Sequence, residues 1–260
     1  MSEKAILETL KEVRNFLVYR RNMGSGDVPA APALHAFLKP AAATVKKEVP
    51  PPAAQLQKPA APAPSRRESA PAPEPSRSDL TLEDIRNEMG DCRRCELHRS
   101  RTNIVFGRGN SGAELMVVED YPGPREDETG MPLAGEAGEL FDKMLAAISL
   151  KRSEVYITSL LKCRPPEGRT PDQEEIKACL NHLRRQIDSI GPRILYTLGP
   201  LAAKALTGEN LSIVRLRGRF HTFHNLPVMP SFHPEFLLRN IEMKAAAWKD
   251  LQMIQKKITV

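Results

Sequence analysis

Apolar side chains along this chain recur at different spacings, and each spacing predicts a different local structure. Near the N-terminus Ile6, Leu7, Leu10, Val13, Phe16 and Leu17 fall three and four residues apart, the repeat of one helix face. A short amphipathic helix is expected within residues 1–23, with an apolar stripe able to dock on the rest of the chain, to self-associate or to hold a protein partner. The pattern then stops. Twelve of the 23 prolines lie between Pro29 and Pro75, among alanine, serine and charged residues, a composition that cannot bury a core. Residues 24–79 read as a disordered, semi-extended linker.

From residue 80 onward short apolar runs alternate with helical patterns. Leu115–Val118, Val155–Thr158 and Ile194–Leu198 have the length and continuous hydrophobicity of strands covered on both faces, and Pro227–Phe232 is a fourth candidate. Gly138–Ile148 has helical periodicity. Thr170, Pro171 and Gln173 supply an N-cap, a proline at the first helical position and a capping-box partner for a helix running to about Ile190. Pro200 opens another helix, and Ala245–Lys257 is the last. This alternation predicts an α/β fold, a three-layer α/β/α sandwich around a mostly parallel four-stranded sheet, occupying residues 80–260. Such sheets bind ligands beyond the carboxyl ends of their strands, so the chemistry is expected just after Val118, Thr158, Leu198 and Phe232.

Charge adds a direction. A formal net charge of +6 over 260 residues favours a polyanionic partner. No apolar run approaches the roughly 18 residues needed to cross a bilayer, and the first residues lack the pattern of a secretory signal. A cytoplasmic protein without membrane contact is expected. In a reducing compartment the four cysteines are more often free, catalytic or metal-bound than paired. Cys92 and Cys95 form a C-x-x-C turn able to grip a metal centre, whereas Cys163 and Cys179 stand on separate segments. Spacing alone leaves an iron-sulfur cluster, a structural zinc and unliganded buried thiols all open.

The neighbours of these cysteines narrow the choice. CRRC at 92–95, VEDYPGPREDETGMPLAGEAGELFDKML at 118–145, YITSLLKCRPPEGRTPDQEEIKAC at 156–179, ILYTLGPLAAKALTG at 194–208, RLRGRFH at 215–221 and MPSFHPEFLLRN at 229–240 together resemble the family 4 uracil-DNA glycosylases. The resemblance runs from about Leu82 onward. It implies a structural [4Fe-4S] cluster on Cys92, Cys95, Cys163 and Cys179, DNA as partner, and hydrolysis of the N-glycosidic bond of uracil or another deaminated base. A monomer is expected. The chemistry requires a base that has left the stack and entered a pocket. It also requires a carboxylate near the sugar or attacking water and a donor near the departing base. Asp120 and His233 stand at the matching positions. Without that context an ordinary loop acid and a helix-capping histidine would explain them.

The sequence departs from the family around the base. The usual Gly-Glu-Ala-Pro-Gly reads Glu119-Asp120-Tyr121-Pro122-Gly123, Leu133 stands where an aromatic platform is usual, and Ser159 stands where an asparagine reads uracil. Tyr121, Gly123, Leu133 and Ser159 are therefore the expected substrate contacts, with stacking and amide pairing both reduced. Lys162, Arg164, Arg217 and Arg219, alongside Arg169 and Arg215, are the expected phosphate contacts. Phe236, Leu237 and especially Leu238 could wedge into the gap left by the base, with Arg239 on a phosphate. Two other readings compete with base excision. One is a noncatalytic DNA-binding or damage-sensing protein on the same fold, and the other a zinc-stabilised α/β protein unrelated to DNA.

Overall fold

The structure, a computed structural model, describes residues 80–259; the amphipathic segment at 1–23 and the linker at 24–79 lie outside the described residues. The described part begins with α1 (Leu82–Met89), whose first turn is closed by Thr81. The Asp84 N–H donates to Thr81 Oγ1 at 3.1 Å and the Thr81 N–H donates to the Asp84 carboxylate at 2.9 Å, satisfying two of the donors that a helix start leaves free. The chain continues through β1 (Arg108–Gly109), β2 (Leu115–Glu119), α2 (Pro124–Thr129), α3 (Gly135–Ala147), β3 (Tyr156–Ser159), α4 (Gln173–Ile190), β4 (Ile194–Leu198), α5 (Pro200–Thr207), α6 (Ile213–Leu216), β5 (His221–Phe223), β6 (Leu226–Ser231), α7 (Pro234–Arg239) and α8 (Lys244–Thr259).

The sheet has the order β1-β3-β2-β4-β6-β5. Its inner strands β3, β2, β4 and β6 are all parallel, as the alternation of elements demands, while β1 and β5 close the two edges antiparallel. These edge strands, two and three residues long, are too short to leave a periodic signal. Successive side chains of a strand point to opposite faces, and the core divides accordingly. Met116, Val118, Tyr156, Leu195 and Val228 pack with Leu183 and Ile187 of α4 and Ala202 and Leu206 of α5. Leu115, Val117, Ile157, Ile194, Tyr196 and Met229 pack with Phe141 and Leu145 of α3 and Leu251 and Ile254 of α8. Helices on both faces make the three layers.

Helix α4 starts later than Thr170 predicts. Asp172 is the N-cap, accepting from the Glu175 N–H at 2.8 Å while the Glu175 carboxylate accepts from the Asp172 N–H at 2.9 Å. Arg169 pairs with the same carboxylate at 2.5 Å. An aspartate backed by a reciprocal acid and an arginine outcompetes the threonine two residues earlier. A buried pair ties the end of β6 to α8. Asp250 is wholly buried, is held by Arg217 at 2.8 Å and accepts from the Ser231 hydroxyl at 2.6 Å. Among the described residues no helix is long and apolar enough to cross a membrane.

Candidate active site and cysteine cage

The carboxyl ends of the parallel strands β2, β3, β4 and β6 lie along one edge of the sheet, and strand parity decides to which side each side chain turns. Asp120, with the parity of Met116 and Val118, turns toward α5, where its Oδ1 accepts from the Ala202 N–H at 2.7 Å. The helix N-terminus favours the charged carboxylate, yet burial dominates and pushes Asp120 up to about 7, with the Ala202 and Leu201 N–H groups opposing. Gly199 is required beside it, because its φ is +112° and a Cβ there would collide with the Asp120 carboxylate. Glu119, with the parity of Leu115 and Val117, turns the other way. Its Oε2 lies 3.4 Å from His233 Nε2, and its Oε1 is buried without a hydrogen-bond partner.

His233 is the N-cap of α7, and its Nδ1 accepts from the Glu235 N–H at 3.2 Å. In the neutral ring the proton therefore sits on Nε2, facing Glu119. Burial disfavours the imidazolium, but the Glu119 carboxylate outweighs it and holds His233 above its usual range. Burial likewise raises the Glu119 carboxyl, with His233 opposing. The structure thus brings Asp120 and His233 into one electrostatic unit, and the group in direct contact with the imidazole is Glu119. Sequence reasoning missed that residue, although the alternation of β2 carried through its last position would have found it.

The expected substrate residues surround Glu119 on the same face. Ser159 is its direct neighbour across the β2–β3 ladder, but the Ser159 hydroxyl donates to the Leu161 carbonyl at 2.5 Å and so is turned back on its own chain. Leu133 is 1% exposed at a φ of +46° and packs with the core near Phe141. Its loop is clamped from two sides. Arg152 donates to the Pro132 and Leu133 carbonyls at 2.5 and 3.0 Å, and Glu126 accepts from the Ala134 N–H at 2.8 Å. Gly123 caps α2 close beside the Glu126 carboxylate. Tyr121 is half-buried, and burial, with Asp120 and Glu235 adding to it, pushes its phenol up to about 12, so it stays a neutral hydroxyl.

The basic residues divide into surface and interior groups. Lys162 is buried, and its ammonium donates to Thr158 Oγ1 and the Ser159 carbonyl, each at 2.6 Å. Its expected phosphate contact is therefore corrected, because the amine is spent inside. Arg217 is corrected likewise, being committed to Asp250 and the Ala246 carbonyl with its guanidinium over the Phe232 ring. Phe236 and Leu237 belong to the core, whereas Leu238 is half-buried. Arg219 and Arg239 are exposed, near Glu209 at 3.4 Å and Glu235 at 2.7 Å respectively, and Arg164 is half-buried. Two cations absent from the sequence reading, Arg108 and Arg152, line an open groove with Asn110, Met131 and Ser153.

The four cysteines converge as the spacing alone could not establish. Cys92, Cys95, Cys163 and Cys179 line one small cavity together with Met89, Ile104, Lys162 and His182, and none forms a disulfide. Donors point at two of the sulfurs. The Lys162 N–H reaches Cys179 Sγ at 3.3 Å and Arg101 reaches Cys163 Sγ at 3.2 Å, while His182 Nε2, 3.7 Å from Cys92 Sγ, accepts from Arg94 at 3.3 Å. Arg101 also donates to the Cys92 carbonyl at 2.7 Å and pairs with Asp91 at 2.5 Å. N–H groups aimed at two sulfurs suit thiolates in a metal centre. Among the described residues no group of three or more His, Cys, Asp or Glu side chains is arranged to hold a single metal ion. The four thiols therefore share one cavity, and their chemistry is that of soft-metal ligands.

Comparison with known proteins adds an independent line. The model of the uracil DNA glycosylase superfamily matches residues 106–252. A type-4 uracil-DNA glycosylase of Sulfurisphaera tokodaii is 39% identical over 185 residues, covering 68% of this chain and 84% of that protein. One of Archaeoglobus fulgidus is 37% identical over 182 residues, covering 67% of this chain and 92% of that protein. One of Thermotoga maritima is 39% identical over 161 residues, covering 61% and 84%.

Proposed function

The chain belongs to the uracil-DNA glycosylase superfamily, with type-4 uracil-DNA glycosylases among its relatives, and from that premise we propose that it hydrolyses the N-glycosidic bond of uracil in DNA for base-excision repair. The observation that carries this reading is the cluster at the carboxyl ends of the parallel strands, where two buried carboxyls and an imidazole meet. Asp120 is the acid on the sugar side. Its position near neutrality lets the carboxylate accept a proton from the attacking water or oppose the positive charge on the sugar. His233 is the donor. Its Nε2–H, held by the Glu235 cap at the opposite nitrogen, is directed at the charge that grows on the departing base.

Arg164, Arg219 and Arg239 are the surface cations we assign to phosphates, and Leu238 is the residue placed to fill the gap left by the base. Cys92, Cys95, Cys163 and Cys179 would hold a [4Fe-4S] cluster, which when bound supplies a structural tie rather than a reaction step. Through it the turn after α1, the loop after β3 and the first half of α4 are fastened together, which keeps the crevice loop at 160–164 in place. The test is direct. The purified protein should convert a uracil-containing oligonucleotide into an alkali-labile abasic product. Salt-sensitive DNA binding with no product from uracil, hypoxanthine or xanthine would replace this reading with the noncatalytic one.

A further inference from the structure

Glu119 has no place in the mechanism above, and its geometry is unusual for a structural residue. A carboxylate that is 1% exposed ordinarily has both oxygens satisfied, because a buried charged acceptor left alone is costly. Here Oε2 faces His233 Nε2 at 3.4 Å, whereas Oε1 makes no hydrogen bond of normal geometry, the Leu133 N–H being the backbone group that favours the charged carboxylate. Strand parity places this orphan oxygen on the face shared by Leu133 and Ser159, and the Ser159 hydroxyl is already spent on the Leu161 carbonyl. Glu119 is therefore a carboxylate on that face with an unused valence, beside His233.

We propose that Glu119 and His233 together read the lactam edge of the flipped base, Glu119 Oε1 accepting from the ring N–H and His233 Nε2–H donating to the adjacent carbonyl oxygen. This deepens the base-excision reading and rests on it. An acceptor and a donor side by side are the complement of O=C–N–H, the edge that uracil, hypoxanthine and xanthine present. Cytosine and adenine present the reverse, a ring nitrogen lone pair beside an amino group. A carboxylate aimed at that lone pair repels it, and the unpaired groups on both sides make rejection steeper than any apolar pocket could. The assigned substrate class is deaminated bases as a group rather than uracil alone, since the edge and not the ring size is recognised. Selection against thymine and guanine, which carry the same edge, falls to steric fit and to the readiness of mismatched bases to leave the stack.

The experiment measures binding of wild-type protein, Glu119→Gln and Glu119→Ala to single-stranded oligonucleotides carrying noncleavable 2′-fluoro-2′-deoxyuridine or 2′-fluoro-2′-deoxycytidine. The uracil-to-cytosine preference should fall about 10- to 100-fold in both variants. In Glu119→Gln part of the fall should be a gain for cytosine, because the amide can turn its NH2 toward the ring nitrogen. A residue that only orients His233 would change both affinities by the same factor, and an unchanged ratio overturns the proposal. Should neither variant fold, free bases serve as inhibitors of the wild-type enzyme. Uracil and 1-methyluracil should then inhibit at least about tenfold better than N3-methyluracil, and equal inhibition overturns the proposal. A wild-type protein that excises nothing defeats the base-excision reading itself, whereas one that excises uracil with an unchanged ratio defeats only this inference.

Discussion

The cysteine cage and the base crevice lie on either side of the same loop, residues 160–164, and they are built on different principles. In the cage the four cysteines line one cavity, with N–H groups directed at two of the sulfurs. In the crevice the acid is shortened, the platform is a leucine folded into the core, and a carboxylate occupies the position next to the acid. A metal centre held from three segments would tolerate no drift, because each ligand would be needed for the fold. A pocket for a base can be refilled from another direction, provided one acceptor and one donor still face the edge being read.

The comparison can be broken most severely at the cage. Cys163→Ala should abolish iron incorporation and lower the melting temperature by more than about 10 °C, since loss of a metal tie costs several kcal/mol; a melting curve and an iron assay on the same sample decide it. In the crevice His233→Ala should slow uracil excision about 10²- to 10⁴-fold with iron content unchanged, measured under single-turnover conditions. Arg217→Ala tests the corrected assignment of a buried arginine. It should cost about 3–5 kcal/mol in denaturant unfolding, because Asp250 would be left charged and buried, while the salt dependence of DNA binding stays as in the wild type.

The pH dependence sharpens the contrast further. Asp120 is raised by burial to about 7 in the folded state, so its contribution to stability is fully present below the unfolded carboxyl range near pH 4 and is lost as pH rises toward about 7. Asp120→Asn should therefore gain stability relative to wild type between about pH 4 and about pH 7, by an amount on the order of a few kcal/mol, seen in paired unfolding curves. The same substitution should remove the acid limb of the excision rate profile. The smallest effect is expected from Arg219→Ala, which should reduce the slope of log affinity against log salt by about 1.

What the sequence made legible follows from where each signal originates. The four inner strands were readable to within a residue or two because strands buried on both faces are continuous apolar runs. The edge strands escaped because a two- or three-residue ladder has no period. The start of α4 was misread because Thr170 and Asp172 are both acceptable caps, and only the reciprocal bond to Glu175 with Arg169 behind it decides between them. Lys162 and Arg217 were read as phosphate contacts because a basic residue carries no mark of the direction it faces; burial against Thr158 in one case and Asp250 in the other is a tertiary fact. Glu119 was hidden by its neighbour. Once Asp120 filled the acid's position, the preceding residue was read only as a departure from a motif, although strand parity sends it to the opposite side of β2.

The account stands on the acid and the imidazole acting at one bond, and the most direct measurement is the release of free uracil from a labelled oligonucleotide by wild type, Asp120→Asn and His233→Ala, each carrying its full complement of iron. The prediction is rapid release by the wild-type protein and rates lower by about a hundredfold or more in both variants. Release by either variant at the wild-type rate would contradict it.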